Sequence, residues 1–66
     1  MPQVGQRVQV DVSGMQTSSG IVPAGTVVPG TVTYISAEHR LTIRLDTAVA
    51  GHMLIAASIE RIRAII

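Results

Sequence analysis

Side chains able to do acid–base or ligating chemistry are few in this 66-residue chain: His39 and His52, Tyr34, five arginines and four carboxylates, with no cysteine and no lysine. His39 stands between Glu38 and Arg40, so acid, imidazole and guanidinium are successive residues, a set able to grip an anionic ligand. The same three residues also make a solvated hairpin tip, and that plainer reading is carried forward. His52 opens the apolar run Met53–Ala57. Where such a run lines a subunit interface, symmetry gathers several copies of the histidine into a pH-sensitive contact or ligand site. As an edge residue it packs its ring on Met53 or Tyr34 instead, and this reading is preferred. Tyr34 is the only aromatic residue. Single-strand nucleic-acid binders need several aromatic platforms, so the expectation is a core or rim position with a satisfied hydroxyl.

No set of nucleophile, base and orienting group emerges, and no local motif places a serine at a strained turn. Asp11, Glu38, Asp46 and Glu60 are dispersed, without the spacing of a metal cage or a carboxylate pair. Two histidines are too few for a histidine zinc site, and the lack of cysteine removes thiolate sites and disulfides. The glycines fit no phosphate loop. No catalytic residue, cofactor or metal is therefore expected. A net charge of +1 is no electrostatic footprint for nucleic acid. The alternative reading, a nucleic-acid-binding barrel, needs a basic stripe from Arg40, Arg44, Arg61 and Arg63. No apolar run approaches the ~20 residues of a membrane span, and MPQVGQRVQV lacks the basic-then-apolar pattern of a signal peptide. A soluble, cytoplasmic protein is expected.

The elements that must position these residues read as strands. Valine, isoleucine and leucine make up the bulk of the apolar residues, and β-branched side chains pack well on a pleated surface. In RVQVDV, Val8, Val10 and Val12 point one way and Arg7, Gln9 and Asp11 the other, the period of a half-buried strand. SGMQTSSG (13–20) is loop by composition and a candidate for mobility. VPAGTV and VPGTV form a quasi-repeat, in which Pro23-Ala24-Gly25 and Pro29-Gly30 are both turn signals. A folded-over loop leading to a second strand at Thr31–Ser36 follows. Residues 37–40 are a hairpin connection. LTIRLD then turns Leu41, Ile43 and Leu45 inward and Thr42, Arg44 and Asp46 outward, and TAVAG (47–51) is a connection pivoting on Gly51. Arg7, Asp11, Arg44 and Asp46 form a cross-strand charge ladder on the outward faces.

Two readings fit the C-terminal part. In one, His52–Ala57 is a strand buried on both faces, Ser58-Ile59-Glu60 a 3₁₀ turn and Arg61–Ile65 a last strand. In the other, Ile55, Ile59, Ile62 and Ile66 lie on one face of a helix capped by Ser58. The first is carried forward.

One domain, residues 1–66, and one small core are all this length allows, and such a chain buries only about 60% of its unfolded surface. With 47% hydrophobic and 14% charged residues, a lone subunit has trouble hiding its apolar surface, which predicts self-association.

Taken in order, the pieces resemble an SH3-like small β-barrel: the opening Gly5-Gln6-Arg7-Val8, a long first loop, the stretch PAGTVVPGTV, a tight hairpin, then strand, 3₁₀ turn and short strand. The resemblance implies an all-β, five-stranded barrel. It extends to the plasmid-encoded trimethoprim-resistant dihydrofolate reductases, tetramers of SH3-like subunits around one pore, whose last elements are similar to Ser58-Ile59-Glu60-Arg61-Ile62. Their pore strand carries a Val-Gln-Ile-Tyr motif, where this chain has Gly51, His52, Met53 and Leu54. Neither the amide nor the phenol nor the pore lysines are present. The resemblance thus implies the fold and the assembly and argues against the activity. The expected protein is a non-catalytic homo-oligomer that binds a protein or small ligand, either at its interface near His52 and Met53 or in a groove beside the first loop involving Met15, Gln16, Tyr34 and Arg40.

Overall fold

The computed structural model describes residues 2–66. Alternating valines build strand β1 (Arg7–Asp11), whose Val8 and Val10 are fully buried, as is Val12 just beyond it. The polar stretch that follows folds into a small hairpin of β2 (Gln16–Thr17) and β3 (Gly20–Ile21). Where a free loop was expected, backbone bonds tie its base together, Val22 N–H to Met15 O at 2.9 Å and Gly14 N–H to Val22 O at 3.0 Å. The long strands β4 (Val27–Ile35) and β5 (Arg40–Val49) come next, then β6 (His52–Ser58), a 3₁₀ turn (Ile59–Arg61) and β7 (Ile62–Ile65). The five longer strands form one antiparallel sheet in the order β6-β5-β4-β1-β7. Its two edges are therefore β6 and β7.

The protein is all-β, and its core is aliphatic. Val8, Val10, Val12, Val32, Leu41, Ile43 and Leu45 are each less than 2% exposed, and Ala57 completes the cluster. Burying side chains of this size contributes about 1.5–3 kcal/mol each before the cost of ordering them. Leu41, Ile43 and Leu45 face inward as their alternation predicts. The C-terminal strand–3₁₀–strand reading holds with its two inner boundaries one residue later, and no α-helix forms there.

Four expectations are corrected. Pro29-Gly30 is no turn: both residues lie inside β4, where Pro29 pairs with Gln9 of β1 and pairing to β5 begins only at Gly30. The missing N–H of Pro29 is tolerated because β4 has no second neighbour at that point. Gly30 serves close approach, since a Cβ there would lie 2.7 Å from Ile43 Cγ2 and 2.9 Å from Arg44 O. Residues 47–49 are likewise not a connection but the end of β5; only Ala50 and Gly51 turn, with φ of 55° and 81°. Two successive left-handed residues make the tight turn whose twist suits a hairpin. β6 is not buried on both faces, for only Ala57 among its seven residues is buried. Asp11 is not an outward charge; it is 9% exposed, because Arg63 from β7 folds over it.

Candidate binding groove

An open groove of about 360 Å³ is lined by Asp11, Met15, Arg40, Arg61 and the four consecutive β6 residues Ile55–Ser58. This lies at the small end of the range for ligand sites. β1 ends there with Asp11, and the base of the β2–β3 hairpin contributes Met15, half-buried against the core. Arg40 is placed by the β4–β5 turn. His39 takes φ of 61°, its N–H donates to Ser36 O at 3.0 Å, and the Arg40 N–H donates to the Ser36 hydroxyl at 3.2 Å. Histidine is among the non-glycine residues that enter the left-handed region more readily than most. Arg40 then pairs with Ser58 of β6. Its guanidinium has no hydrogen-bond or ion-pair partner among the described residues.

The other charges at the groove are held. Arg61 Nη1 donates to Ser13 O at 2.8 Å and more weakly to Asp11 O at 3.4 Å. The Asp11 carboxylate accepts from the Ser13 hydroxyl and the Ser13 N–H, and from Arg63 Nη2 and Nε at 2.7 and 3.1 Å. Ser13 first, then Arg63, holds the Asp11 carboxyl well below the usual carboxylate range. Asp11 is therefore ionised, neutralised and saturated with donors. What the groove presents is the free Arg40 guanidinium, the unused donors of Arg61, and an apolar wall of Met15, Ile55 and Ala56. Such an arrangement has the chemistry to hold an acidic group attached to an apolar or main-chain portion.

Of the residues singled out in the sequence, the groove brings together Met15 and Arg40. Gln16 adjoins Met15 but lies exposed on β2, and His39 adjoins Arg40 at the exposed turn. Tyr34, His52 and Met53 lie elsewhere. Tyr34 is 61% exposed on β4 opposite Thr42, so neither a core position nor a satisfied hydroxyl is found among the described residues. His52 is exposed at the start of β6, opposite Val49, and Met53 is 43% exposed beside it. Asp11, Arg61 and Ile55–Ser58 were not anticipated as one site. The run Met53–Ala57 pointed to β6, but nothing local signalled that Arg61 reaches back 48 residues to Ser13.

Of the expected charge ladder, one pair forms: Arg7 donates to Asp46 at 2.6 Å and to the Thr31 hydroxyl at 3.1 Å. This pair raises the Arg7 pKa and lowers that of Asp46. No group of three or more potential metal ligands occurs among the described residues, and no helix is long and apolar enough to cross a membrane. Comparison with protein-family models, curated proteins and solved structures finds no match to this chain.

Proposed function

We propose that this chain is an SH3-like small barrel acting as a homo-oligomeric, non-catalytic binding module, with the groove as its ligand site. The SH3-like reading is supported by the strand order and by the 3₁₀ turn between the last two strands. One observation carries the oligomer: two large apolar side chains, Tyr34 and Leu54, stand exposed on the outer face of the sheet. Register sets Thr31, Arg44 and Leu54 in one row across β4, β5 and β6, and Tyr34, Thr42 and Ala56 in the next. Leu54 is 59% and Tyr34 61% exposed, and Arg44 is the only charge in the two rows. Of these residues, tyrosine and arginine are the types enriched at interface centres. A standard interface covers about 800 Å² on each partner, against a total surface of 4158 Å² here.

The groove supports a small acidic ligand over nucleic acid. Of the stripe Arg40, Arg44, Arg61 and Arg63 that phosphate binding needs, Arg63 is committed to Asp11, so the stripe is partly neutralised within the chain. Amide spectra recorded over a hundredfold dilution test the assembly. Resonances of Thr31, Tyr34, Thr42, Arg44 and Leu54 are expected to shift together, while those of β1 stay fixed. Unchanged spectra, or shifts confined to other faces, would remove this interface.

A further inference from the structure

We infer that the groove takes an extended peptide, added antiparallel along the free edge of β6 over Ile55–Ser58, with an acidic residue at its amino end facing Arg40 and Arg61. The inference rests on the groove being the ligand site and names what fills it. Adjacent side chains of a strand point to opposite faces, yet four consecutive residues of β6 line this one groove. What faces the groove is therefore the strand's edge, including its main chain. β6 pairs only with β5, so the N–H and C=O groups of its other edge have no strand partner among the described residues.

The two edges of the sheet are treated differently. β7 is four residues long, carries Arg63, and pairs with β1 through a register shift between Gln9 and Val10. Shortness, charge and irregularity all discourage further pairing. β6 carries no lysine, no proline and no acid over seven residues, and from Leu54 to Ser58 its register with β5 is unbroken. An edge so regular is a template for an added strand, and peptide recognition by strand addition draws affinity from main-chain hydrogen bonds.

Charge decides between occupants. Arg40 stands opposite Ser58, and Arg61 lies three residues further on, so both guanidinium groups gather at the C-terminal end of β6. A second copy of β6 laid antiparallel brings no carboxylate to them, because β6 has none. A peptide with an acidic first residue does, and antiparallel pairing is the more stable arrangement per residue. Asp11 does not oppose it, being neutralised by Arg63.

The probe is an acetylated Asp-Val-Thr-Val-Thr peptide with a fluorescent carboxyl-terminal label, read by anisotropy. Three comparisons go with it: an Asn-first peptide, a peptide N-methylated on alternate amides, and the Arg40→Gln protein, whose lost side chain holds no other element. Saturable binding is expected, weakened tenfold or more by Asn, by N-methylation and by Arg40→Gln. Equal binding of the N-methylated peptide, with amide shifts still at Arg40, Ala56 and Arg61, would overturn strand addition while leaving the groove a ligand site. No shift at those residues with any peptide at millimolar concentration would take both readings away. A fall in oligomer mass on saturation would give the edge to a second copy and likewise overturn the inference.

Discussion

At the scale of single residues, Asp11 shows how a tertiary partner overrides a local pattern. Alternation along RVQVDV sets it outward with Arg7 and Gln9, yet Arg63, 52 residues away, and Ser13, two residues away, fold donors over it. No spacing in the sequence carries that information, because it depends on β7 closing beside β1. The consequence is a pH dependence. Its folded pKa is depressed, so the unfolded chain binds the proton more readily. Stability from this group is present above the unfolded carboxylate value, about 3.9, and is lost as pH falls below it towards the lower folded value. Asp46, held low by Arg7, adds to the same slope. The denaturation midpoint should therefore drop between pH 5 and pH 2. Asp11→Asn should be less stable at neutral pH and flatter across that window, the two curves converging in acid. Parallel curves would show that Asp11 gains nothing from its partners. Tyr34 makes the complementary point: its type suggested shelter, but the bulge between Val32 and Tyr34 sets it opposite outward-facing Thr42.

At the scale of elements, the strands with one buried face were legible because a period of two is a strong constraint. Slipping either LTIRLD or RVQVDV by one residue would expose its whole apolar set. Elements that depend on neighbours were not. Pro29-Gly30 has the chemistry of a turn, but the requirement it meets is β5 lying against β4 too closely for a side chain. Gly30→Ala should thus cost about 1–3 kcal/mol by overpacking, read as a melting temperature lower by roughly 4–8 °C per kcal/mol in a domain of this size. Differential scanning calorimetry of the purified variant checks it, and an unchanged transition would contradict the close approach. The pivot at Gly51 was legible, but the turn was read too long, because alanine is an unusual choice for a left-handed position; asparagine or aspartate at residue 50 would have announced a two-residue turn. The 3₁₀ turn and β7 were readable although the isoleucine spacing also fits a helix, because the β segments before them leave too short a stretch for anything but closing the sheet. A smaller part of the groove was legible as well, two of its eight lining residues. Met15 and Arg40 stood out by type, whereas the contribution of β6 is an edge, and an edge belongs to a sheet.

At the scale of the whole molecule, one buried cluster among the described residues supports the fold, and Tyr34 and Leu54 remain exposed on its outer face. A chain this short gains stability from any partner that binds only its folded form. Self-association through Leu54 and Tyr34 on the outer face of the sheet would supply it, while the groove follows the edge of β6 over Ile55–Ser58. The measurement that tests this most directly is molar mass in solution, by size-exclusion chromatography with light scattering over a hundredfold range of concentration, on the natural chain and on Leu54→Lys. The natural chain should run at a multiple of its 6.9 kDa mass, and Leu54→Lys should run as a folded monomer at the same concentrations. A natural chain that stays monomeric up to millimolar concentration, or a lysine variant with undiminished mass, would contradict the account.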